Sequence, residues 1–439
     1  MFVLKFGGTS VGSAERIKDV AKLITNGDAN IVVLSAMSGT TNSLVEIADY
    51  LYKKNHDSAN EAIITLEQNY YKVVEELFSD NTYKEKGVEL IKSHFNYIKS
   101  FTQDMFTLFE EKAILAQGEL LSTALMHFYL SEQKIESVLV PALNFMRTDK
   151  DGEPDLFYIK ENIKREIESH PNNKLFITQG FICRNSFGEI DNLKRGGSDY
   201  SASLIGAGIA ANEIQIWTDI DGMHNNDPRY VENTKPLSSL SFDEAAELAY
   251  FGAKILHPAS IQPAKVANIP VRLKNTMQPK AEGTLVFSKS SGKGIKAIAA
   301  KDNITAIKIK SGRMLLAHGF MRKVFEIFET YQTSIDMITT SEVAVSVTID
   351  DTKYLNDIVD ELKKYGTVEV DSDLSIICVV GDFIAESKGY ALKIFNALKN
   401  VSIRMISYGG SRHNVSLLVN TSDKKEALIS LNQNLFENV

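Results

Sequence analysis

The chain has 439 residues, 44% of them hydrophobic and 24% charged, with a formal net charge of -8. That is the balance of a water-soluble globular protein of two or three domains. The acidic surplus, with no aromatic-laced basic patch, excludes nucleic acid as the main partner, and no run is long and apolar enough to span a bilayer.

Phe2 to Phe6 is a short apolar strand, and Ser13 to Ile24 is a helix with apolar residues at helical spacing behind a serine cap. Between them lies Gly7-Gly8-Thr9-Ser10-Val11-Gly12, with Lys5 at the strand end. Backbone N–H groups at a helix entrance and the positive end of its dipole favour an anion, so the loop reads as a phosphate site. Its lysine precedes the glycines, unlike a Walker A motif, and the plain alternative is a packing turn. Asn30 to Leu34 is a buried strand, followed by Ser35-Ala36-Met37-Ser38-Gly39-Thr40-Thr41-Asn42, whose hydroxyls suit a carboxylate or phosphate, or only cap the next helix. From Ala59 to Leu130 the pattern gives several helices. Among them Glu119 follows Gly118 in apolar surroundings, placed either to anchor an ammonium group or to face solvent.

Strands return at Ser137 to Pro141 and Lys174 to Ile182, followed by a turn at Arg184 to Gly188. Lys194-Arg195-Gly196-Gly197-Ser198-Asp199 then precedes a small-residue helix from Tyr200 to Ala211. This is a second helix-entry anion site, with Arg195 suited to a bidentate grip on a carboxylate and Asp199 able to orient Lys5 or a metal-bound nucleotide. Gly206 to Ala211 imitates a dinucleotide fingerprint but lies inside the helix. A strand from Glu213 ends in Thr218-Asp219, and Asp227-Pro228-Arg229 and Phe251-Gly252-Ala253-Lys254-Ile255-Leu256-His257-Pro258 follow in loops. Ile269 to Leu273 reads as the last strand of this unit. Cations and glycine or hydroxyl turns gathered at strand ends point to phosphoryl transfer.

Lys289 to Gly294 is a short polar linker, which places a domain boundary there. Beyond it two βαββα units repeat: strands 304–309, 334–338 and 343–349 with helices 320–331 and 354–365, then strands 374–380, 402–407 and 414–419 with helices 390–398 and 424–435. A strand at 367–370 closes the first unit. The second lacks one, which Ile295 to Ala299 supplies if the units are nested. The expected domains are 1–288, 295–372 and 373–439. Cys183 and Cys378 cannot make a disulfide framework, no leader sequence opens the chain, and the histidines lack metal-ligand spacing, so a cytoplasmic protein is expected.

In combination and order, Lys-Phe-Gly-Gly-Thr-Ser-Val, Arg-Gly-Gly-Ser-Asp, Thr-Asp, Asp-Pro-Arg and Phe-Gly-Ala-Lys-Ile-Leu-His-Pro resemble the aspartate kinase (aspartokinase) family nearly end to end. The resemblance implies an α/β fold: a three-layer amino-acid-kinase domain followed by two α+β ACT domains. It implies the reaction of ATP with L-aspartate to give ADP and 4-phospho-L-aspartate, opening lysine, methionine and threonine biosynthesis. Lys5 would stabilise the transferring phosphoryl group, with Asp199 fixing it. Gly7, Gly8 and Ser10 would line the phosphates. Thr41, Glu119, Arg195 and Ser198 would hold aspartate, and Thr218, Asp219, Arg229 and Lys254 would contact ATP. Mg2+ would arrive with ATP and need no direct protein ligand.

In the first ACT unit, Met314, Gly319, Phe320, Met321, Ile335, Asp336, Thr340, Ser341 and Glu342 are similar to the effector site of the lysine-sensitive class, implying inhibition by L-lysine. The chain departs from the family at His224-Asn225-Asn226, where a tyrosine and two small residues are usual, and at Ala317, where serine is common. The length implies a monofunctional enzyme, and the repeat a homodimer or dimer of dimers through the ACT units. Another amino-acid kinase, such as glutamate kinase, and a catalytically silent amino-acid sensor are the rival readings.

Overall fold

The structure, a computed structural model, describes residues 1–102, 105–193, 196–252, 256–288, 294–310, 319–382 and 384–437. The N-terminal unit begins with β1 (Phe2–Phe6), α1 (Ala14–Ile24) and β2 (Asn30–Leu34), then runs through five helices: α2 (Thr40–Tyr52), α3 (His56–Leu77), α4 (Asn81–Ser100), α5 (Leu108–Leu115) and α6 (Gln117–Glu132). After β3 (Val138–Leu139) and α7 (Leu156–Glu168) come β4 (Leu175–Gln179), a hairpin of β5 (Ile182–Arg184) and β6 (Ile190–Asn192), α8 (Gly197–Ile209) and β7 (Ile214–Thr218). They are followed by β8 (Ser239–Ser241), α9 (Phe242–Tyr250), α10 (Gln262–Val266), β9 (Val271–Asn275) and β10 (Thr284–Phe287).

Among the described residues the main sheet has the order β3-β4-β2-β1-β7-β9-β10-β8. Every residue of β2 and β4 is buried, which is why both read as continuous apolar runs rather than alternating ones. Leu4, Phe6, Val32, Leu34 and Ile177 share one core with side chains from α1 to α6. The opposite face of β1, β2 and β7 meets α8, which in turn packs on α7 and α10, giving three layers. The parallel registers Phe6 with Leu34, Leu34 with Gln179, Phe6 with Trp217, and Thr218 with Asn275 align the carboxyl ends of five strands along one edge. Strand order reverses at β1, the switch point where open α/β sheets bind ligands.

Two expectations for this unit need correction. The helix expected from Tyr200 starts at Gly197: Gly196 takes φ +63 as its N-cap and Gly197 φ +46. A Cβ on Gly196 would collide with Ser260 Oγ, so a glycine turn opens the helix three residues early and puts Ser198 and Asp199 in its first turn. The strand at 269–273 is not the last, because β10 pairs antiparallel with it and β8 parallel with β10. Both are too short to leave a two-residue periodicity in the sequence.

The C-terminal sheet runs β12-β13-β11-β14-β16-β15, built from β11 (Gly294–Lys310), α11 (Phe320–Thr330), β12 (Ile338–Thr340), β13 (Ala344–Ile349), α12 (Leu355–Lys363), β14 (Thr367–Asp382), α13 (Tyr390–Ala397), β15 (Ile403–Tyr408), β16 (Asn414–Asn420) and α14 (Lys424–Asn432). β11 and β14 each serve both repeats. Ile304 to Lys310 pairs with the start of β14 and with β13, whereas Ile295 to Lys301 pairs with Ile376 to Gly381 and closes the second repeat. A cut at 372/373 therefore falls inside one continuous strand. The strand expected at 334–338 starts only at Ile338, since Asp336 N and Met337 N are both engaged by Thr348, through its carbonyl at 2.8 Å and its hydroxyl at 2.9 Å.

Compactness divides the chain into Met1–Met223, Ser238–Phe242 and Ile255–Ser290 as one unit and His224–Leu237, Asp243–Lys254 and Ser291–Val439 as the other. The range 1–288 is thus not a single body. Val231 fills the core of the second repeat, Asn226 Nδ2 donates to Leu428 O at 3.0 Å, and Lys424 Nζ reaches Tyr230 OH at 2.8 Å. These contacts carry no local sequence signature.

Candidate active site

Lys5 is the penultimate residue of β1, with its Nζ 2.7 Å from Asp199 Oδ1, and both side chains are largely buried. The next residues turn sharply: Gly7 N donates to Trp217 O at 3.3 Å, and a Cβ on Gly7 would lie 3.5 Å from the Lys5 ammonium. Gly8 O accepts from Ser38 N at 3.1 Å, and a Cβ on Gly8 would stand 2.8 Å from Ala36 O. The two glycine loops therefore touch through their backbones, which any side chain at position 8 would prevent. Ser10 is buried, its hydroxyl 2.7 Å from Thr276 Oγ1. It ties the loop to the chain after β9 and does not turn its side chain to the open cleft.

Glu119 lies in the first turn of α6 and is 3% exposed. Its Oε1 accepts from Ala36 N at 3.1 Å, while Oε2 has no hydrogen-bond partner among the described residues. Burial pushes its carboxyl up to about 7, against the Ala36 amide and the more distant Lys5 charge, which favour the ionised form. An acid held this way in a cleft is poised to receive a cationic group. Ser35 Oγ donates to Ser198 Oγ at 2.9 Å, and Ser122 Oγ to Ser35 O at 2.8 Å.

Gly8, Ser38, Thr41, Glu119, Phe181 and Ser198 line one cleft of about 400 Å³. Folding thus gathers Thr41, Glu119 and Ser198 with the Gly8 loop, next to the Lys5–Asp199 pair. Arg195, Lys254 and Met314 lie outside the described residues.

Sequence reasoning missed Phe181. It has φ +66, and Ile182 N donates across it to Gly180 O at 2.7 Å, a tight three-residue turn that costs backbone strain. Phe181 N is held by Ser201 Oγ at 2.8 Å. The available signal was Gly180, directly after a buried strand. Asn275 and Thr276 were missed in the same way at the end of β9, where Thr276 N donates to Thr218 O at 2.8 Å. Thr218 Oγ1 itself donates to Asp219 Oδ1 at 3.0 Å.

In the C-terminal unit, the Arg229 guanidinium closes on Asp227 through Nε at 2.9 Å and Nη2 at 2.6 Å, which holds the Asp227 carboxyl below its usual range against the effect of burial. His224 Nδ1 meets Thr234 Oγ1 at 2.9 Å, and Asn225 and Asn226 are buried in hydrogen bonds of the same loop. Gly319 caps α11 at φ +90, and Phe320, Met321 and Ile335 pack into the apolar core of the first repeat. Thr340, Ser341 and Glu342 form the exposed tip of the β12–β13 hairpin. Asp336 lies at the other end of that hairpin, roughly 13 Å away by strand rise. One chain does not bring these effector candidates to a single point. Among the described residues, Glu244, Asp382 and His413 place potential ligand atoms within 4.8 Å of one another, but Lys296 Nζ already sits 3.1 Å from Glu244 Oε1.

Comparison with known proteins supplies the context. Residues 1–275 match the amino acid kinase family, and residues 377–435 match an ACT domain. The chain is 34% identical over 99% of both lengths to the lysine-sensitive aspartokinase 3 of Escherichia coli. It is 35% identical to the chloroplastic aspartokinase 1 of Arabidopsis thaliana, across 99% of this chain and 80% of that protein. Its fold overlays E. coli aspartokinase III in complex with aspartate and ADP with a TM-score of 0.84, covering 99% of this chain and 100% of that one. It overlays the same enzyme in complex with lysine and aspartate equally well, and aspartate kinase of Clostridium acetobutylicum at 0.85 with 30% identity over 99% and 100% of the two chains.

Proposed function

The chain belongs to the aspartokinases of the amino acid kinase family, enzymes that phosphorylate the carboxyl group of aspartate, and from that membership we propose how its residues divide the work. The observation that carries the assignment is the Lys5–Asp199 pair at 2.7 Å beside a cleft whose buried acid, Glu119, keeps one oxygen without a partner. Glu119 receives the α-ammonium of L-aspartate, Arg195 grips the α-carboxylate, and Thr41 and Ser198 orient the β-carboxylate. A β-carboxylate oxygen attacks the γ-phosphorus of ATP in line. The new O–P bond forms as the bond to the β-phosphate oxygen breaks, and ADP leaves with that electron pair.

The attacking carboxylate is already ionised, so no general base is needed; positioning and charge stabilisation supply the rate. Lys5, held by Asp199, meets the charge on the transferring phosphoryl group. The backbone of Gly7, Gly8 and Ser10 faces the phosphates. Thr218, Asp219, Arg229 and Lys254 keep the ATP-contacting role that the family pattern gives them. The donors present fit Mg2+ delivered on ATP, because Asp199 is already engaged by Lys5 and Asp219 by Thr218. When bound, that ion neutralises phosphate charge.

L-Lysine is the proposed inhibitor, supported by the buried Asp336 carboxylate with its unpartnered Oδ2, with Gly319, Met321, Thr340, Ser341 and Glu342 around it once a second copy completes the site. A homodimer or dimer of dimers through the ACT units follows from that reading. No described helix is long and apolar enough to cross a membrane, and two buried, unpaired cysteines accord with a cytoplasmic enzyme.

The test is a phosphoryl-transfer assay with L-aspartate and L-glutamate side by side, trapping the acyl phosphate with hydroxylamine. Lys5→Ala should lower kcat about 10²- to 10³-fold with little change in the KM for aspartate. An unchanged kcat removes Lys5 from the mechanism.

A further inference from the structure

Asp336 is the most deeply held acid of the first ACT repeat, its side chain 1% exposed. Lys301 Nζ lies 2.7 Å from its Oδ1 and 2.9 Å from Asp350 Oδ2. The Tyr250 hydroxyl donates to the same Oδ1 at 3.1 Å, and the Lys301 ammonium stands 4.8 Å from the centre of the Tyr250 ring. One cation therefore serves two carboxylates. The cluster carries a surplus negative charge, and Asp336 Oδ2, buried and without a partner among the described residues, leaves the acid incompletely satisfied by Lys301 and Tyr250.

Tyr250 is the last residue of α9, and the chain runs on from it to Lys254. Two residues later Gly252, at φ +124, lies so close to β11 that a Cβ there would overlap Ala300 O, the carbonyl preceding Lys301. The end of α9 is thus seated on β11 at the point where Lys301 emerges. Elsewhere along α9, Glu244 pairs with Lys296 and Glu247 accepts from Asn414.

We propose that Lys301 is an internal stand-in for an ammonium effector: it and Tyr250 occupy Asp336 in the active enzyme, and the amine of the effector takes Asp336 from them. The exchange leaves no charge stranded. Lys301 retains Asp350, the incoming ammonium gains Asp336, and Tyr250 loses its hydrogen bond, releasing the end of α9, four residues before Lys254 in the sequence. Burial raises the cost of leaving Asp336 unpaired, so the acid is always filled by one amine or the other. This rests on the reading of Lys254 as an ATP contact and of lysine as effector, and makes Tyr250 and Lys301 positioning residues.

The experiment uses the full-length enzyme. Tyr250→Phe keeps the ring and removes only the hydroxyl. Without lysine it should raise the KM for ATP about three- to tenfold, the scale of a lost hydrogen bond to a charged group, with kcat and the KM for aspartate nearly unchanged. With lysine, the concentration for half-inhibition should fall by a similar factor. Lys301→Met, which removes the competing amine, should lower it too. If Lys301 merely scaffolds the effector site, that variant raises the half-inhibitory concentration, and the proposal is overturned. It is equally overturned if both constants of Tyr250→Phe match the wild type. If calorimetry shows that the wild-type enzyme does not bind lysine, the effector reading fails by itself, and the ATP constants of Tyr250→Phe still decide whether the latch exists.

Discussion

Glu119 has to be ionised to hold an ammonium group, yet its burial favours the neutral form up to about pH 7. Its folded value lies above the ordinary 4.5, so its contribution to stability is fully present below 4.5 and is lost, by about 3 kcal/mol in all, as pH rises from there through 7. Substrate binding has the opposite sign. Below pH 7 the acid must release a proton before it can bind the ammonium, so the KM for aspartate should climb by up to about tenfold per pH unit. Glu119→Gln should raise the KM at pH 8, abolish its acid-side rise, and make the ligand-free protein more stable relative to wild type at pH 8 than at pH 6. Steady-state kinetics and thermal unfolding across that range check both; a flat wild-type KM from pH 6 to 8 defeats the assignment. Glu119 could be singled out in the sequence because a lone acid among apolar residues is conspicuous. Its environment could not, because the Ala36 amide and the closed side of the cleft come from another loop.

The strands and helices that place the site were legible where a continuous apolar run or a helical periodicity was strong, as in β2 and α1, and where glycine punctuated them, as after β1. The reading failed where a tertiary contact sets the boundary. Gly196 starts α8 because the left-handed turn fits only a residue without a side chain beside Ser260, and β10 exists only as a neighbour of β9 and β8 only as a neighbour of β10. The turn after β4 follows the same logic. A Cβ on Gly180 would overlap the Ser198 side chain, so β4 and the first turn of α8 approach as closely as glycine allows. Gly180→Ala should push Ser198 and Asp199 outward, loosening the Lys5–Asp199 pair while the buried sheet survives. The expected result is a fall in kcat/KM for aspartate of about tenfold or more with an unchanged far-ultraviolet circular dichroism spectrum. Full activity in the alanine variant means that the helix end can yield without cost.

At the scale of the whole molecule, composition shows one polar linker, at 289–294, but the chain passes between its two compact units at 223/224, 237/238, 242/243, 254/255 and 290/291. A polar glycine-serine-lysine stretch is conspicuous in composition; residues 224–237 and 243–252 pack, and so resemble any other loop and helix. Their partners are specific. Asn226 donates to the Leu428 carbonyl, Tyr230 receives the Lys424 ammonium, Glu244 pairs with Lys296, and Tyr250 reaches Asp336. Ending the chain at residue 288 removes every one of those partners while leaving complete the sheet that carries Lys5 and the helices α6 and α8 that carry Glu119 and Asp199. Buried polar groups such as Asn226 and Glu244 would then lose these particular partners, at a cost of about 1–3 kcal/mol each, and both segments should open. Limited proteolysis read by mass spectrometry should find cleavage between 224 and 252 in the shortened chain and protection there in the full-length enzyme. Equal protection in both would mean that these segments are held by the N-terminal unit, and that the regulatory sheet has no direct mechanical hold on the stretch containing Arg229 and Lys254.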